Sequence, residues 1–245
     1  MDKLPENSLL FAQIQAEMGI SGTYYFRVDP QSWNEEIITN IASMGHEMGY
    51  HYENMDTASR KLQRLTHNRQ PTPMKYTPSS NFTGQATDNI IDIAYEDFQK
   101  NLEILRELVP VTTICMHGSP RSKYDNKAIW GKYNYKTLGI TGEPYFDVDF
   151  GKTFYLTDTG RRWDGWKVSI RDKVPQQEKW VQKGLVFHST TNIINAVRES
   201  RLPGQVLFTF HPQRWHNSLF PWVKELVVQK AKNQVKRILV KSSAQ

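Results

Sequence analysis

Apolar and polar residues in the first part of the chain follow the periods of helices and short strands in turn. Apolar residues recur at helical spacing over Asn7–Met18, and the aromatic run Gly22–Arg27 is typical of a strand. Ser32 is expected to cap a helix over Glu35–Met44, because serine favours the N-cap position. A further strand over Glu47–Tyr52 completes a helix–strand–helix–strand beginning.

The rest of the chain continues this alternation around two long stretches that lack a clear period. The predicted elements are a helix over Ile90–Leu108, a strand over Val111–Met116, a strand over Gly184–Phe187, a helix over Thr191–Glu199, a strand over Val206–Phe210 and a helix near 219–241. The stretches near 60–88 and 118–180 exceed the usual length of a connection and are expected to be long loops. Alternating strands and helices predict one α/β domain over residues 1–245 with a parallel sheet, either doubly wound or closed into a distorted barrel.

Composition places the chain among ordinary globular proteins. Its 245 residues are 38% hydrophobic and 23% charged, which is enough to bury a large core without covalent cross-links. The single cysteine, Cys115, excludes an intramolecular disulfide framework and lies in an apolar run, where a buried small hydrophobe is expected rather than a reactive thiol. No secretion signal and no apolar run of about 18 residues stands out, so we expect a cytoplasmic protein without a transmembrane segment.

The net charge of +6 is concentrated near the end of the chain. The basic residues of the terminal segment are Lys224, Lys230, Lys232, Lys236, Arg237 and Lys241. The pattern is that of a solvated helix face, and a weak contact with a membrane surface is the alternative. Nucleic-acid binding is not expected, because no basic module with interleaved aromatic residues is found.

Candidate chemistry centres on Gly45–Glu53, GHEMGYHYE, where histidines, carboxylates and tyrosines crowd together. His51 lies at the end of one predicted strand, and two further strand-like runs stop at His117 and His211. Active groups of α/β folds gather at the carboxyl ends of parallel strands. The three imidazoles are therefore expected to converge on one site.

These motifs resemble those of the NodB-homology polysaccharide deacetylases, carbohydrate esterase family 4. The resemblance is carried by GISGTYYFR, GHEMGYHYE and LFTFHP, and it covers essentially the whole chain. The phrases MHGSPRSKYDN, GEPYFDVD, TDTGRRWDGW and HPQRW are similar to those of a branch associated with bacterial surface-polysaccharide (O-antigen) gene clusters. The resemblance implies a distorted (β/α) barrel, a divalent metal that is usually zinc, and hydrolysis of an N- or O-acetyl group on a carbohydrate.

The first departure from the family pattern is at the N-terminus. Family members open with a strand that ends in a base aspartate followed by a metal-binding aspartate. Here the chain begins MDKLPENS, and Asp2 matches the metal-binding aspartate. The opening strand and the base are therefore expected to be missing, through a start codon assigned too late or a truncated chain.

The second departure concerns the metal. The family offers a His-x-x-x-His pair whose first member matches His51, but Met55 occupies the partner position and methionine is a poor zinc ligand. Catalytic zinc normally has three protein ligands and one open position. Asp2 and His51 supply two ligands, and His117 is the candidate for the third, with Glu53 as an alternate. The match to the family gives His46 a structural role at the turn before the strand.

The resemblance also implies roles around the substrate. His211 matches the histidine that protonates the departing amine or alkoxide, and a hydrogen bond within the HPQRW turn is the alternative role. Four residues of TDTGRRWDGW are candidates for orienting the sugar by hydrogen bonding and stacking, and a structural ion-pair cluster explains them almost as well: Asp158, Arg161, Trp163 and Asp164.

Two hypotheses follow for the whole protein. In the first, it is a metal-dependent carbohydrate deacetylase of surface-polysaccharide metabolism that acts on a glycan or an activated sugar precursor. In the second, it is a catalytically impaired relative that binds a sugar or a protein partner, because Met55 stands at a ligand position and the base is absent. Metal content separates the two hypotheses.

Overall fold

The fold of this computed structural model is α/β with parallel strands, and residues 3–67, 82–118, 124–164 and 172–242 are described. The helices are α1 (Pro5–Glu17), α2 (Glu35–Ser43), α3 (Asn54–His67), α4 (Phe82–Arg106), α5 (Pro144–Asp147), α6 (Gln177–Gln182), α7 (Thr190–Arg198) and α8 (Leu219–Ser242). The strands are β1 (Thr23–Phe26), β2 (Glu47–Tyr52), β3 (Thr113–Met116), β4 (Phe154–Thr157) and β5 (Val206–Thr209). Short 3-10 helices cover Asn126–Gly131, Tyr135–Leu138, Thr159–Arg161 and Pro212–Arg214.

The chain divides into two compact units. The three-stranded unit is Gln15–Glu143, with the sheet order β1-β2-β3, and the two-stranded unit is Met1–Ile14 with Pro144–Gln245, where β4 pairs with β5. Both sheets are parallel. The α/β class is therefore confirmed, whereas the strands of the described residues form two open sheets and no closed barrel.

The middle strand of the three-stranded unit is β2, which is almost entirely buried. Its register pairs Gly49 with Tyr25 of β1 and with Thr113 of β3. A Cβ at Gly49 would lie 2.4 Å from ring carbons of Tyr25 and 3.0 Å from the carbonyl oxygen of Thr113. Only glycine fits between these neighbours, so Gly49 sets how closely the strands pack.

Helix α2 begins at Glu35 as predicted, but its N-cap is not Ser32. The N-cap is Asn34, whose side chain accepts a hydrogen bond from the main-chain nitrogen of Ile37 at 3.1 Å. Ser32 is buried, and its hydroxyl accepts from the main-chain nitrogen of Arg27 at 3.2 Å. The predicted cap was wrong because that hydroxyl stabilises the turn after β1 instead.

The described residues of the stretch near 60–88 are helical, which the prediction of a long loop missed. Helix α3 extends to His67 and α4 already begins at Phe82, while residues 68–81 lie outside the described part of the chain. The buried face of α4 recurs at helical spacing through Ile90, Ala94, Phe98, Leu102 and Leu105. The prediction of a helix over Ile90–Leu108 is confirmed, with an earlier start.

The stretch near 118–180 contains a strand that was not predicted from the composition of this stretch. Strand β4 is buried at all of its residues and pairs with β5 in the register Phe154↔Val206. The described part of this stretch also holds α5 and three 3-10 helices, while residues 119–123 and 165–171 fall outside the described ranges. The prediction of one long loop was therefore wrong for the described part of this stretch.

The segment Gly184–Phe187 buries Leu185 and Phe187 without forming a strand. Gly184 has a left-handed backbone (φ +74°), and the main-chain nitrogen of Leu185 donates to the carbonyl of Trp180 at 3.1 Å. These contacts end α6 in the way that glycine commonly ends helices. Leu185 and Phe187 then pack into the core beside Phe154, which explains why the segment has an apolar pattern without a ladder.

The remaining predicted elements are confirmed within a few residues at their ends. They are the helices matching α1, α2, α7 and α8 and the strands matching β1, β2, β3 and β5. Within the described residues, no helix is both long enough and apolar enough to cross a membrane.

Candidate functional site

The carboxyl ends of β2 and β3 bring two of the predicted histidines together. His51 pairs with Cys115 in the strand register, and the main-chain nitrogen of His117 donates to the carbonyl of Tyr52 at 2.8 Å. As a result, His51 Nε2 lies 3.2 Å from His117 Nδ1, with the rings nearly perpendicular at 83°. Adjacent parallel strands therefore produce the histidine pair directly.

The two nitrogens are spaced as two ligands of one zinc ion would be. With zinc–nitrogen bonds of about 2.0–2.1 Å, tetrahedral ligands lie about 3.3 Å apart. The other ring nitrogen of His51, Nδ1, lies 2.9 Å from the carbonyl oxygen of Cys115, to which it can only donate. Histidine ligands of zinc are commonly oriented by such a bond from the second ring nitrogen. The pair therefore fits two positions of a zinc site.

Asn126 fixes the backbone beside the histidine pair. Its buried side chain donates to the carbonyl of His117 at 2.8 Å and accepts from the main-chain nitrogen of Met55 at 3.0 Å. Met55, at the position where the family has its second histidine, is itself buried. Asn126 is a supporting residue that sequence reasoning did not single out, although it ends the phrase MHGSPRSKYDN.

A buried carboxylate supports the same strand ends. Glu143 Oε1 accepts from the main-chain nitrogen of Met116 at 3.1 Å and from the hydroxyl of Tyr52 at 3.4 Å. Trp130 Nε1 donates to the hydroxyl of Tyr52 at 2.9 Å. Burial and the nearby charge of Glu143 raise the pKa of Tyr52, so its hydroxyl stays protonated and can donate. This network links the carboxyl ends of β2 and β3, which carry His51 and precede His117.

A third ligand is not found in the described part of the chain. No three His, Cys, Asp or Glu side chains among the described residues are grouped to hold a metal ion. Glu53, the alternate ligand, is hydrogen-bonded to Arg27, which also lies 3.0 Å from Asp29. Asp2 falls outside the described residues. Of the predicted ligands, the structure brings His51 and His117 together, and metal binding by these two residues and by Asp2 stays a prediction.

His46 has the structural surroundings predicted for it. The main-chain nitrogen of Gly22 donates to His46 Nδ1 at 3.1 Å, which ties the start of β1 to the turn before β2. His46 is buried and its ring packs edge-on against Tyr24. Cys115 lies on β3 and is half-buried, not fully buried as predicted; its main-chain carbonyl contacts His51, and its Sγ lies 3.8 Å from the carbonyl oxygen of Met116.

In the two-stranded unit, His211 is held by a buried aspartate. Asp158 follows β4 directly, and its Oδ1 lies 2.5 Å from the ring Nδ1 of His211. The main-chain nitrogen of His211 donates to the other oxygen at 3.0 Å. Arg214 Nη1 and Trp215 Nε1 add donors at 3.1 and 2.8 Å. Asp158 thus contacts both ends of the HPQRW turn, which begins at His211 and ends at Trp215.

These donors keep Asp158 ionised. Burial alone would raise the pKa of this carboxyl group, but the charge and hydrogen bonds of His211 and the charge of Arg214 more than offset it and lower the pKa to about 2. Because an ionised carboxylate only accepts, the His211 ring must donate from Nδ1. The structure thereby fixes the tautomer of a neutral His211, with Nε2 as its proton-accepting atom.

No protein-family model, no curated protein and no solved structure matches this chain. The likeness to NodB-homology deacetylases therefore stays a prediction from the motifs. The convergence of all three strand-end histidines also stays a prediction, since His211 lies in the two-stranded unit and the other two in the three-stranded unit.

The four residues predicted to orient a sugar have structural contacts within the two-stranded unit. Asp158 holds His211, and Trp163 is buried in the core with its Nε1 donating to Thr190 at 3.0 Å. Asp164 is buried and receives two hydrogen bonds from Arg162, at 2.7 and 2.8 Å. These contacts match the alternative of a structural cluster, and sugar binding by these residues stays a prediction.

Arg161 is the least enclosed of the four. Its guanidinium group stacks 4.9 Å from the ring centroid of Trp222. Its backbone is left-handed (φ +59°), and the preceding Gly160 is left-handed as well (φ +72°). Non-glycine residues rarely adopt this conformation, and such strain clusters at functional sites. Arg161 is the most accessible of the four residues, and its contact with a substrate stays a prediction.

His188 is a further candidate residue that was not identified from the sequence. His188 Nδ1 lies 3.0 Å from Asp164 Oδ2, in an aspartate–histidine pair like that of Asp158 and His211. Burial would raise the pKa of Asp164, but hydrogen bonds from Arg162 and His188 lower it below its usual value. His188 follows the apolar run ending at Phe187, so the rule that singled out the strand-end histidines also points to it.

Proposed function

We propose that this protein is a metal-dependent carbohydrate deacetylase of the NodB-homology type, acting in bacterial surface-polysaccharide metabolism. The proposal includes the distorted (β/α) barrel, the zinc ion and the acetylated sugar substrate that the motifs imply. The observation that carries it is the 3.2 Å distance between His51 Nε2 and His117 Nδ1, with Nδ1 of His51 held by a carbonyl. Two imidazoles so oriented are a common part of hydrolytic zinc sites.

His51 and His117 would hold the metal from the three-stranded unit, and Asp2 is the expected third ligand. When bound, a zinc ion supplies a water molecule with a pKa near 7 and polarises the acetyl carbonyl. The residues of the chain orient this site. The Cys115 carbonyl fixes the ring of His51, and Asn126 fixes the backbone at His117.

His211 protonates the departing amine or alkoxide in this proposal. Asp158 accepts from Nδ1, so Nε2 of the protonated ring is the atom that delivers the proton. The ionised carboxylate also holds the imidazole in one orientation, as buried aspartates do in catalytic triads. An imidazole suits the role because its ordinary pKa of about 6.5 lies near neutral pH.

The experiment is a paired measurement of zinc and acetate. The purified chain is incubated with zinc, freed of excess metal and assayed for bound zinc, and acetate release is measured on N-acetylated and O-acetylated oligosaccharides. We expect one zinc ion per chain and release of acetate. A chain that retains no zinc would refute the hydrolase proposal.

The second candidate is a catalytically impaired relative that binds a sugar or protein partner. It is favoured by the buried Met55 at a ligand position, together with the lack of a third ligand among the described residues. For this candidate, acetylated oligosaccharides would bind without acetate release, and His211→Ala would leave binding unchanged. The same purified protein therefore distinguishes the two functions.

A further inference from the structure

The first half of α8 presents an apolar stripe to solvent. Leu219, Val223 and Val227 recur every fourth residue, and Phe220 lies three positions before Val223. Their exposed fractions are 75%, 42%, 61% and 79% in the order Leu219, Val223, Val227 and Phe220. Residues at this spacing share one face of a helix. We call this face the α8 stripe.

The helix packs against its own unit on a different side. Gln229 is buried, and Asn233 Nδ2 donates to the carbonyl of Gly160 at 2.9 Å. The indole of Trp222 receives the guanidinium group of Arg161. By helical geometry, Trp222, Gln229 and Asn233 lie on one face, and the centre of that face is about 110° around the helix from the centre of the α8 stripe. The stripe is therefore not the face that anchors α8.

Positive charge surrounds the α8 stripe. Lys224 follows Phe220 by four positions and borders the stripe at its side, and Lys230 follows Val227 by three and borders it at its carboxyl-terminal end; both lysines are exposed. Over its full length α8 carries six basic residues and one acidic residue, Glu225. A second copy of this chain would present the same cations, whereas an anionic surface complements them.

We propose that α8 lies flat on a bilayer containing anionic phospholipids. The side chains of the α8 stripe enter the boundary between headgroups and acyl chains, and the flanking lysines contact lipid phosphates. An exposed apolar face with basic residues beside it is the signature of such interfacial helices. The contact is peripheral, because no described helix is long and apolar enough to span a membrane. It would bring the protein to a membrane surface whichever reaction it performs.

The test uses the full chain and two kinds of vesicle. One is phosphatidylcholine alone, and the other is equal parts of phosphatidylcholine and phosphatidylglycerol. Co-sedimentation is expected with the anionic vesicles only, and the binding should weaken as salt is raised. Equal binding to both kinds of vesicle, or binding to neither, would overturn the proposal.

Variants identify the surface. Lys224→Gln with Lys230→Gln should reduce vesicle affinity about tenfold or more, since each basic residue near an anionic surface contributes about a factor of five. Phe220→Ser with Val223→Ser should abolish vesicle binding. Lys136→Gln with Lys152→Gln, two exposed lysines outside α8, is the matched control and should bind normally. Loss of binding in the control to the same degree would contradict the proposal.

Two further readouts separate the alternatives. Light scattering that shows a dimer in the native chain and a monomer in Phe220→Ser would assign the α8 stripe to a second copy and overturn the membrane proposal. Circular dichroism confirms that each variant is folded. Zinc binding and acetate release on soluble oligosaccharides should be unchanged in the lysine variants. A failure of the membrane proposal can therefore be distinguished from a failure of the proposed function.

Discussion

His211 and Asp158 are joined by two hydrogen bonds, from the ring Nδ1 at 2.5 Å and from the main-chain nitrogen at 3.0 Å. The first fixes the rotation and tautomer of the imidazole, and the second fixes the backbone that carries it. Asp158 therefore acts as a positioning residue for His211.

Replacing either partner should stop proton transfer. We expect His211→Ala to lower kcat for acetate release about 10²- to 10⁴-fold, the usual contribution of a general acid. Asp158→Asn should also lower kcat strongly, because an amide donor facing Nδ1 favours the wrong tautomer. KM and zinc content should change little in both variants. Normal turnover in His211→Ala would remove His211 from the mechanism.

Zinc content should depend on the histidine pair. His51→Ala and His117→Ala each remove a nitrogen of the pair and should lower zinc affinity by at least the roughly 10- to 100-fold that loss of a supporting partner costs. The matched control is His188→Ala, since His188 lies in the other unit and pairs with Asp164. Isothermal titration with zinc measures the effect. Equal affinity in all three variants would contradict the proposed site.

Asp158 should also make stability depend on pH. Its folded pKa of about 2 lies below the ordinary value of 3.8, so the unfolded chain takes up the proton first as the pH falls. The stabilisation is present in full above about pH 4 and is lost toward about pH 2, with a size of about 2 kcal/mol. Urea unfolding from about pH 6 to 3 should show a steeper loss of stability in the native protein than in Asp158→Asn. Parallel curves would show that Asp158 does not carry this dependence.

Gly49 should tolerate no side chain. A Cβ there meets the ring of Tyr25 at 2.4 Å, and β2 is held on both edges, so Gly49→Ala should lower the free energy of unfolding by about 1–3 kcal/mol. Gly131→Ala is the matched control, because a Cβ at Gly131 meets nothing within 4 Å. Thermal unfolding followed by circular dichroism checks both variants. A similar melting temperature for Gly49→Ala and the native protein would contradict the close packing of β2.

Local patterns predict the elements whose periodicity reflects burial on one face. The helical spacing of α4 and the aromatic run of β1 are examples, and both elements are present. The pattern misleads where burial has another cause. Gly184–Phe187 is apolar because it fills the core after a helix end, and β4 is concealed among glycine, threonine and aspartate residues. Ser32 and Asn34 are both good caps, and only the fold shows that the Ser32 hydroxyl is used elsewhere.

The alternation of strands and helices and the three histidines at strand ends can be predicted from the sequence, because side-chain periodicity and chain direction are local properties. The partner of each histidine depends on the three-dimensional fold. His51 and His117 are 66 positions apart in the chain, and Asp158 and His211 are 53 apart. Such contacts depend on which strands are neighbours and in what register. The order and register of the strands cannot be predicted from a local pattern, because strand pairing is set by the packing of the whole sheet.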